Sequence, residues 1–457
     1  MLLSKFLLLF FFFTIACSSE AQQPVHIFWK DDPALRKQFY EQTMIKKDKY
    51  ISSSTGEYAE GFKKVYENHF EGIAAFWKSK RVVTSAQQHL YLQSIVRKII
   101  DANPVLKGSD ARVVFTRDEW PNAVSMGDGS IAVNGGLVLF LENEAELAFI
   151  ICHELAHYYL DHSNKTIREH IETYNSEAFK KEIKRLSKEE YKVWSQLEEL
   201  LKKMTFGSRR HSRAHEAEAD LQAFMFMKHT GYDCSAITTC LEKLNKVDDS
   251  ALFPPLKTEK AFDFEGYPFK RKWIEKTSSI FAQMDAGDSP LTPEEKDSLR
   301  THPDCELRMA MLQDSIRGTS GGQKFLVNEI FFRQLKKDIL PEIIQLLYDQ
   351  ENLARNLYYN LLVLENNEDD PLAIFSIARD LNILYDMQKN HRLGDIDKEG
   401  RTYPADYNLL LRMIDRLRLE EIAHINYFFC KKHEGKMKGY DAFTKEMEKA
   451  EKTFLNY

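Results

Sequence analysis

Apolar residues recur at helical spacing along most of the chain, and strand-like patterns are short and few. The clearest apolar helical face follows Asn143 and consists of Leu147, Ile150, Ile151, Leu155 and Tyr158. Asn143 with Glu146 three positions later is typical of a helix start, because both side chains can bond free backbone N–H groups. Residues 112–116 and 130–134 read as strands. The pattern therefore predicts a mainly α fold with a small β-sheet.

The second predicted strand consists of Ser130, Ile131, Ala132, Val133 and Asn134, and it has glycines on both sides. Flanking glycines are consistent with an edge strand at a cleft, although ordinary turns explain them equally well. An edge strand can hold an extended peptide by main-chain hydrogen bonds. We therefore expect these five residues to contact a substrate.

Residues 318–322, Gly-Thr-Ser-Gly-Gly, are the best candidate linker, and nearly everything after them has a helical pattern. Pro341, Pro371 and Pro404 each precede an apolar run, at intervals of 30 and 33 residues. Such spacing is typical of helical repeats. We expect residues 323–457 to form an all-helical domain, either a degenerate tetratricopeptide array or a non-repetitive helical cap.

Residues 1–21 read as a secretory signal, because the apolar run from Phe6 to Ala16 is too short to span a membrane. Ile15-Ala16-Cys17 resembles a bacterial lipobox, which makes Cys17 a lipidation candidate; the alternative is cleavage after Ala21. No later segment approaches 18 continuous apolar residues. We expect an exported protein of the periplasm or cell envelope without a transmembrane span in the mature chain.

Composition restricts the partners and the redox chemistry. The chain has 457 residues, enough for two or three domains, and its net charge of −6 argues against a nucleic-acid partner. The cysteines after Cys17 lack zinc-ribbon spacing. An oxidising compartment would allow Cys234 and Cys240 to pair.

The sequence His153-Glu154-Leu155-Ala156-His157 points to a specific chemistry. Two histidines four apart lie on one helical face and can bind one Zn²⁺, while Glu154 can act as the general base. A catalytic zinc site needs a third protein ligand and leaves its fourth position to water. The alternative is two histidines that only make hydrogen bonds on a partly buried helix.

The best third ligand is Glu216, in the segment from His215 to Asp220. Asp220 shares a helical face with Glu216 and is placed to orient a ligating imidazole, whereas Glu218 faces away and is expected to be a solvated acid.

Four motifs in this order resemble one peptidase family. They are the glycine-rich strand segment 127–137, His153–His157 with His162, Glu216–Asp220, and Thr301-His302-Pro303 followed by Arg308. Together they resemble the gluzincin endopeptidases of the CAAX-prenyl-protease and HtpX family, including the soluble periplasmic BepA-like members. The resemblance covers roughly residues 84–312, with a long, charged insertion at 163–212.

The resemblance implies a role for the late motif. It makes His302 or Arg308 the candidate for stabilising the oxyanion. His302 sits in a rigid turn before Pro303, so its ring is also a candidate plug that occupies the open zinc position and keeps the enzyme latent. A further alternative is a helix cap or a hydrogen bond to the substrate.

These observations predict an exported zinc metalloendopeptidase in residues 22–317, with one zinc per chain. Its expected substrates are peptides and proteins, misfolded envelope proteins among them, and its C-terminal helices are expected to bind a protein partner. The alternative is an envelope assembly or binding factor with a latent metal site.

Overall fold

The computed structural model describes residues 26, 28–186, 213–247, 254–275, 305–319, 321–400 and 403–457. These residues form many helices and one small sheet, which confirms the predicted fold class. The strands are β1 (Arg112–Thr116), β2 (Ala123–Ser125) and β3 (Ser130–Asn134). The helices up to residue 261 are α1 (Pro33–Ser53), α2 (Ala59–Lys78), α3 (Ala86–Ala102), α4 (Gly135–Phe140), α5 (Glu144–Tyr159), α6 (His162–Asn175), α7 (Glu177–Leu186), α8 (213–227), α9 (Ala236–Val247) and α10 (Thr258–Ala261). The later helices are α11 (Cys305–Arg317), α12 (Glu329–Asp349), α13 (Leu353–Asn366), α14 (Pro371–Lys389), α15 (Ala405–Arg416), α16 (Leu419–His433) and α17 (Asp441–Phe454).

The sheet has the strand order β1-β3-β2, with β1 parallel and β2 antiparallel to β3. The prediction that Ser130, Ile131, Ala132, Val133 and Asn134 form an edge strand is therefore wrong, since β3 is paired on both sides. The glycines before β3 belong to a hairpin turn: Gly127 and Gly129 have φ of 80° and 86°, values that favour glycine. This turn folds the short strand β2 back onto β3, so that β1 and β2 are the outer strands of the sheet.

Helix α5 lies in the largest hydrophobic cluster and is buried continuously from Glu144 to Ala156. Its start has the predicted cap: Asn143 Oδ1 accepts a hydrogen bond from the Glu146 N–H at 3.0 Å. Glu146 Oε2 accepts from the Glu142 N–H at 2.7 Å, which satisfies a second backbone donor. The helix that carries both predicted histidine ligands is thus fixed at its first turn.

A buried carboxylate, Glu144, ties the first residue of α5 to distant parts of the chain. It accepts hydrogen bonds from the hydroxyls of Tyr91 at 3.0 Å and Tyr232 at 2.7 Å. It also accepts from the backbone N–H groups of residues 326–328 at 2.8, 2.7 and 3.0 Å. Five donors satisfy a charge that would otherwise be costly to bury.

The hydrophobic clusters do not divide at the predicted linker, residues 318–322. Phe332 and Leu335 of α12 belong to the cluster around α5 and the sheet. Conversely, Phe262 and Trp273, which precede the linker, pack in the cluster of the C-terminal helices. Residues on both sides of the linker therefore share each core.

The three spaced prolines do not mark equivalent helix starts. Pro371 begins α14 and Pro404 is the N-cap residue of α15, whereas Pro341 lies inside α12. The region is helical as predicted, and its tetratricopeptide character stays a prediction.

Within the described ranges, no helix is long and apolar enough to cross a membrane. Cys234 and Cys240 are buried free thiols, so the proposed pairing is absent. Cys17 and the signal segment lie outside the described residues. Of the charged insertion, the structure describes helical segments up to residue 186, within α6 and α7.

Candidate metal centre

The structure brings the three predicted metal ligands together. His153 and His157 project from α5 with their Nε2 atoms 3.0 Å apart. Glu216 on α8 places Oε2 3.5 Å from His153 Nε2 and Oε1 3.2 Å from His157 Nε2. One ligand atom from each residue lies within 4.8 Å of the others.

This donor set fits a tetrahedral metal ion. Bonds of about 2.0 to 2.2 Å in a tetrahedral zinc site place neighbouring ligand atoms roughly 3.4 Å apart. The observed separations of 3.0, 3.2 and 3.5 Å surround that value. Two imidazoles and one carboxylate are also the donor chemistry of catalytic zinc sites, and they leave a fourth position free for water.

Glu154 is the carboxylate expected to act as general base. Its residue is 7% exposed, and it makes no hydrogen bond or ion pair with any residue that the structure describes. A buried carboxylate without a protein partner is costly, so such groups are typically kept for a function. Glu154 is therefore available to a water molecule or a substrate beside the ligand pair.

Asp220 and Arg308 lie behind the ligands. Asp220 Oδ1 is 2.9 Å from His153 Nδ1, on the side of the ring opposite the other ligands. Arg308 Nε and Nη2 donate to the two Asp220 oxygens at 2.6 and 2.8 Å, and Nη1 lies 3.2 Å from Glu216 Oε2. The expectation that Arg308 stabilises an oxyanion does not fit these contacts, because its buried guanidinium is committed to two carboxylates. Arg308 is instead a residue that positions the ligands.

The site favours a negative charge on Glu216 and a positive charge at His153. Burial alone would raise the pKa of Glu216, but His153 and His157 hold it well below its usual range. Burial would lower the pKa of His153, but contacts with Asp220 and Glu216 outweigh burial and raise it to about 10. A proton or a metal ion at this position is therefore stabilised by the same two carboxylates.

A second row of side chains supports His157, and the sequence indicates only its first member, His162, through the motif that carries the family resemblance. His162 places Nδ1 2.9 Å from His157 Nδ1 and Nε2 3.2 Å from Glu218 Oε2. The ring of His215 stacks on His162 at a centroid distance of 4.2 Å. Glu218 is exposed, as expected of a solvated acid, but it also contacts His162. The only sequence signal for this row is the position of His162 five residues after His157.

Two predicted features remain, the substrate-binding strand and His302. Strand β2, one of the two outer strands, packs against α5, so among the described residues an unpaired sheet edge lies next to the ligand helix. His302 lies outside the described residues, and its role stays a prediction.

Comparison with known proteins identifies the family. The sequence model of Peptidase family M48 matches residues 86–316, half of the chain. The match contains His153, Glu154, His157, Glu216 and Arg308. The comparison with curated proteins finds no match. The chain belongs to peptidase family M48 and is a metallopeptidase.

Proposed function

We propose that this metallopeptidase is a zinc-dependent endopeptidase. The observation that carries the proposal is the convergence of His153, His157 and Glu216. Glu154, on the helix of the two histidines, has no partner among the described residues. Zinc in such a site supplies Lewis-acid polarisation of a carbonyl and makes a water molecule more acidic.

The side chains of this chain account for the proton transfers. Glu154 accepts a proton from the attacking water and passes it to the leaving amine as the peptide bond breaks. His153, His157 and Glu216 hold the metal. Asp220 and Arg308 fix the orientation of the first ligand, and His162 fixes that of the second.

Strand β2 is the substrate strand that we propose in place of β3. Within the described part of the chain it has one unpaired edge, its Val124 is 43% exposed, and it packs against α5. An extended peptide added to this edge is held by main-chain hydrogen bonds, which depend little on sequence. Broad cleavage specificity is the consequence.

We further propose that the enzyme acts outside the cytoplasm, in quality control of envelope proteins. The support is the apolar segment in residues 1–21, with Cys17 as the lipidation candidate. Palmitate labelling that is lost in Cys17→Ser supports a lipid anchor, whereas an unlabelled mature chain beginning at Gln22 supports simple secretion. A full-length protein recovered from the cytosol contradicts both.

The decisive experiment combines metal analysis with a casein cleavage assay. We expect about one zinc per chain, as a single three-ligand site requires. Glu216→Gln should lose most of the metal, whereas Glu218→Gln, two residues away, should keep it. Glu154→Gln should keep the zinc and abolish cleavage, because a base is not a ligand. Normal cleavage by Glu154→Gln rejects the mechanism, and a zinc-loaded wild type that cleaves nothing favours the assembly factor.

A further inference from the structure

A cavity lies among the C-terminal helices, and none of its lining residues belongs to the metal centre. Its volume is about 210 Å³, and α10, α13 and α16 contribute to its walls. Because a water molecule occupies about 30 Å³ in the liquid, the cavity has room for a group the size of one amino-acid residue. Its apolar lining includes Leu361, Leu364 and Phe429.

One polar side chain in this lining has no partner. His433 is 3% exposed, and neither of its ring nitrogens has a hydrogen-bond partner among the described residues. Burial, together with Lys432 and Lys436, lowers the pKa of His433 to about 4. The neutral ring has one N–H to donate and one nitrogen to accept, and polar groups buried this deeply are normally satisfied. A ligand with a hydrogen-bond acceptor would satisfy the ring N–H, and a ligand that also carries an N–H donor would satisfy the other nitrogen.

The cavity also has an excess of positive charge. Four lysines and two glutamates line it. Lys257 lies 3.8 Å from Glu365, and Lys436 pairs with Asp369. Lys260 and Lys432 are exposed and have no ion pair within the described part of the chain. Lys432 Nζ lies over the ring of Phe264 at 5.9 Å. Two ammonium groups from different helices, neither with a carboxylate partner among the described residues, therefore border an apolar cavity.

We propose that this cavity binds the C-terminal residue of a polypeptide, an apolar side chain joined to a carboxylate. The apolar group packs on Leu361, Leu364 and Phe429, which removes apolar surface from water. The carboxylate accepts hydrogen bonds from Lys260, Lys432 and the neutral ring of His433. An inorganic anion would leave the apolar walls unused, and a neutral apolar group would leave the lysines and His433 unsatisfied. A free carboxylic acid with an alkyl chain has the same chemistry, and the experiment separates the two sources.

The test uses the full-length chain with Glu154→Gln, so that the probe is not cleaved. Calorimetry would measure binding of acetyl-Gly-Ser-Leu-Leu with a free carboxylate, of the same peptide as its C-terminal amide, and of octanoate. The free peptide should bind at least about tenfold more tightly than the amide, because the amide loses the charge-assisted hydrogen bonds. Equal binding of both peptides, or no binding of either, overturns the proposal. Octanoate binding without peptide binding overturns the polypeptide source and leaves an alkyl carboxylate as the ligand.

Surface variants keep the test independent of folding. Lys260→Gln and Lys432→Gln should each weaken binding of the free peptide about tenfold and leave binding of the amide unchanged. Lys431→Gln is the matched control, since Lys431 precedes Lys432 on α16, pairs with Glu434 at 3.1 Å and does not line the cavity. The same loss in Lys431→Gln and Lys432→Gln would show a general charge effect and overturn the site.

Discussion

The buried carboxylate behind the metal ligands, Asp220, is closely paired, whereas Asp380 in the C-terminal helices is buried with only a distant cation. Behind the metal ligands, Arg308 donates two hydrogen bonds to Asp220, and both residues are buried. In α14, Asp380 is completely buried, and neither of its oxygens accepts a hydrogen bond from the described residues. The nearest cation is Arg379, with Nε 3.7 Å from Asp380 Oδ1.

The pKa values of these groups shift in opposite directions. Burial would raise the pKa of Asp220, but Arg308 and His153 hold it below its ordinary value. Burial raises the pKa of Asp380 to about 8, because Arg379 compensates only in part. Asp220 thus keeps its charge through close pairing, which fixes ligand geometry, whereas burial favours the neutral form of Asp380.

Removing the charge of Arg308 should have the largest effect on stability. Arg308→Met removes the guanidinium that pairs with the buried carboxylates of Asp220 and Glu216 and leaves them only their histidine partners, which should cost about 3–5 kcal/mol in the free energy of unfolding. Urea unfolding and zinc content would both be measured. Arg317→Met, at an exposed position of the same helix, is the control and should change neither. If Arg308→Met were as stable as the wild type, the ion pairs of Arg308 with Asp220 and Glu216 would not stabilise the fold.

The anchor of α5 should contribute less. Glu144→Gln removes the charge that five donors share, and we expect a loss of about 1–3 kcal/mol in the free energy of unfolding. Glu142→Gln, an exposed neighbour of the same charge, should be nearly neutral. Equal thermal unfolding temperatures for the two variants would contradict the role given to Glu144.

The buried Asp380 should make the free energy of unfolding depend on pH. Because Asp380 has a folded pKa of about 8 against an ordinary value of 3.8, the folded chain holds an extra proton between these limits. The contribution of Asp380 to stability is therefore full below pH 3.8 and is lost as the pH rises through 8. One proton changes the unfolding free energy by at most about 1.4 kcal/mol per pH unit.

Asp380→Asn should remove this dependence, and urea unfolding between pH 5 and pH 8 would measure it as a flatter slope. Asp386→Asn, at an exposed position of the same helix, should retain the wild-type slope. Identical slopes in all three proteins would show that Asp380 does not titrate within this range.

The smallest effect concerns the second row beside His157. His162→Phe should lower zinc affinity about tenfold, because the ligand loses the partner that orients its ring. Glu218→Gln removes only an exposed contact and should change the affinity less than the His162 variant. Competition with a chelator would measure both. Unchanged affinity in His162→Phe would mean that α5 alone orients His157.

Features that depend only on the spacing of residues within one helix could be predicted from the sequence. The capped start at Asn143 predicted α5, and helical periodicity selected Glu216 rather than Glu218 as the candidate third ligand. Four-residue spacing placed Asp220 on the same face as Glu216. Each of these inferences needs only the geometry of one helix.

Long-range pairing could not be inferred in the same way. Strand β2 is three residues long, too short to give an alternating pattern. The sequence therefore does not indicate that β3 has a partner on this side, and the prediction that β3 is an edge strand is wrong. The family resemblance makes Arg308 a candidate for the oxyanion, and nothing local indicates that it instead reaches Asp220, 88 positions earlier. The packing of Trp273 with helices beyond the linker is equally nonlocal.

The anchoring of α5 by residues 326–328 has a consequence for the order of synthesis. Glu144 receives these backbone donors from positions 182 to 184 residues later in the chain. A ribosome therefore completes the histidine pair long before it supplies the segment that ties down their helix. During that interval the nascent chain contains both histidines, but α5 lacks the hydrogen bonds from residues 326–328. Peptidase activity should therefore arise only late in translation.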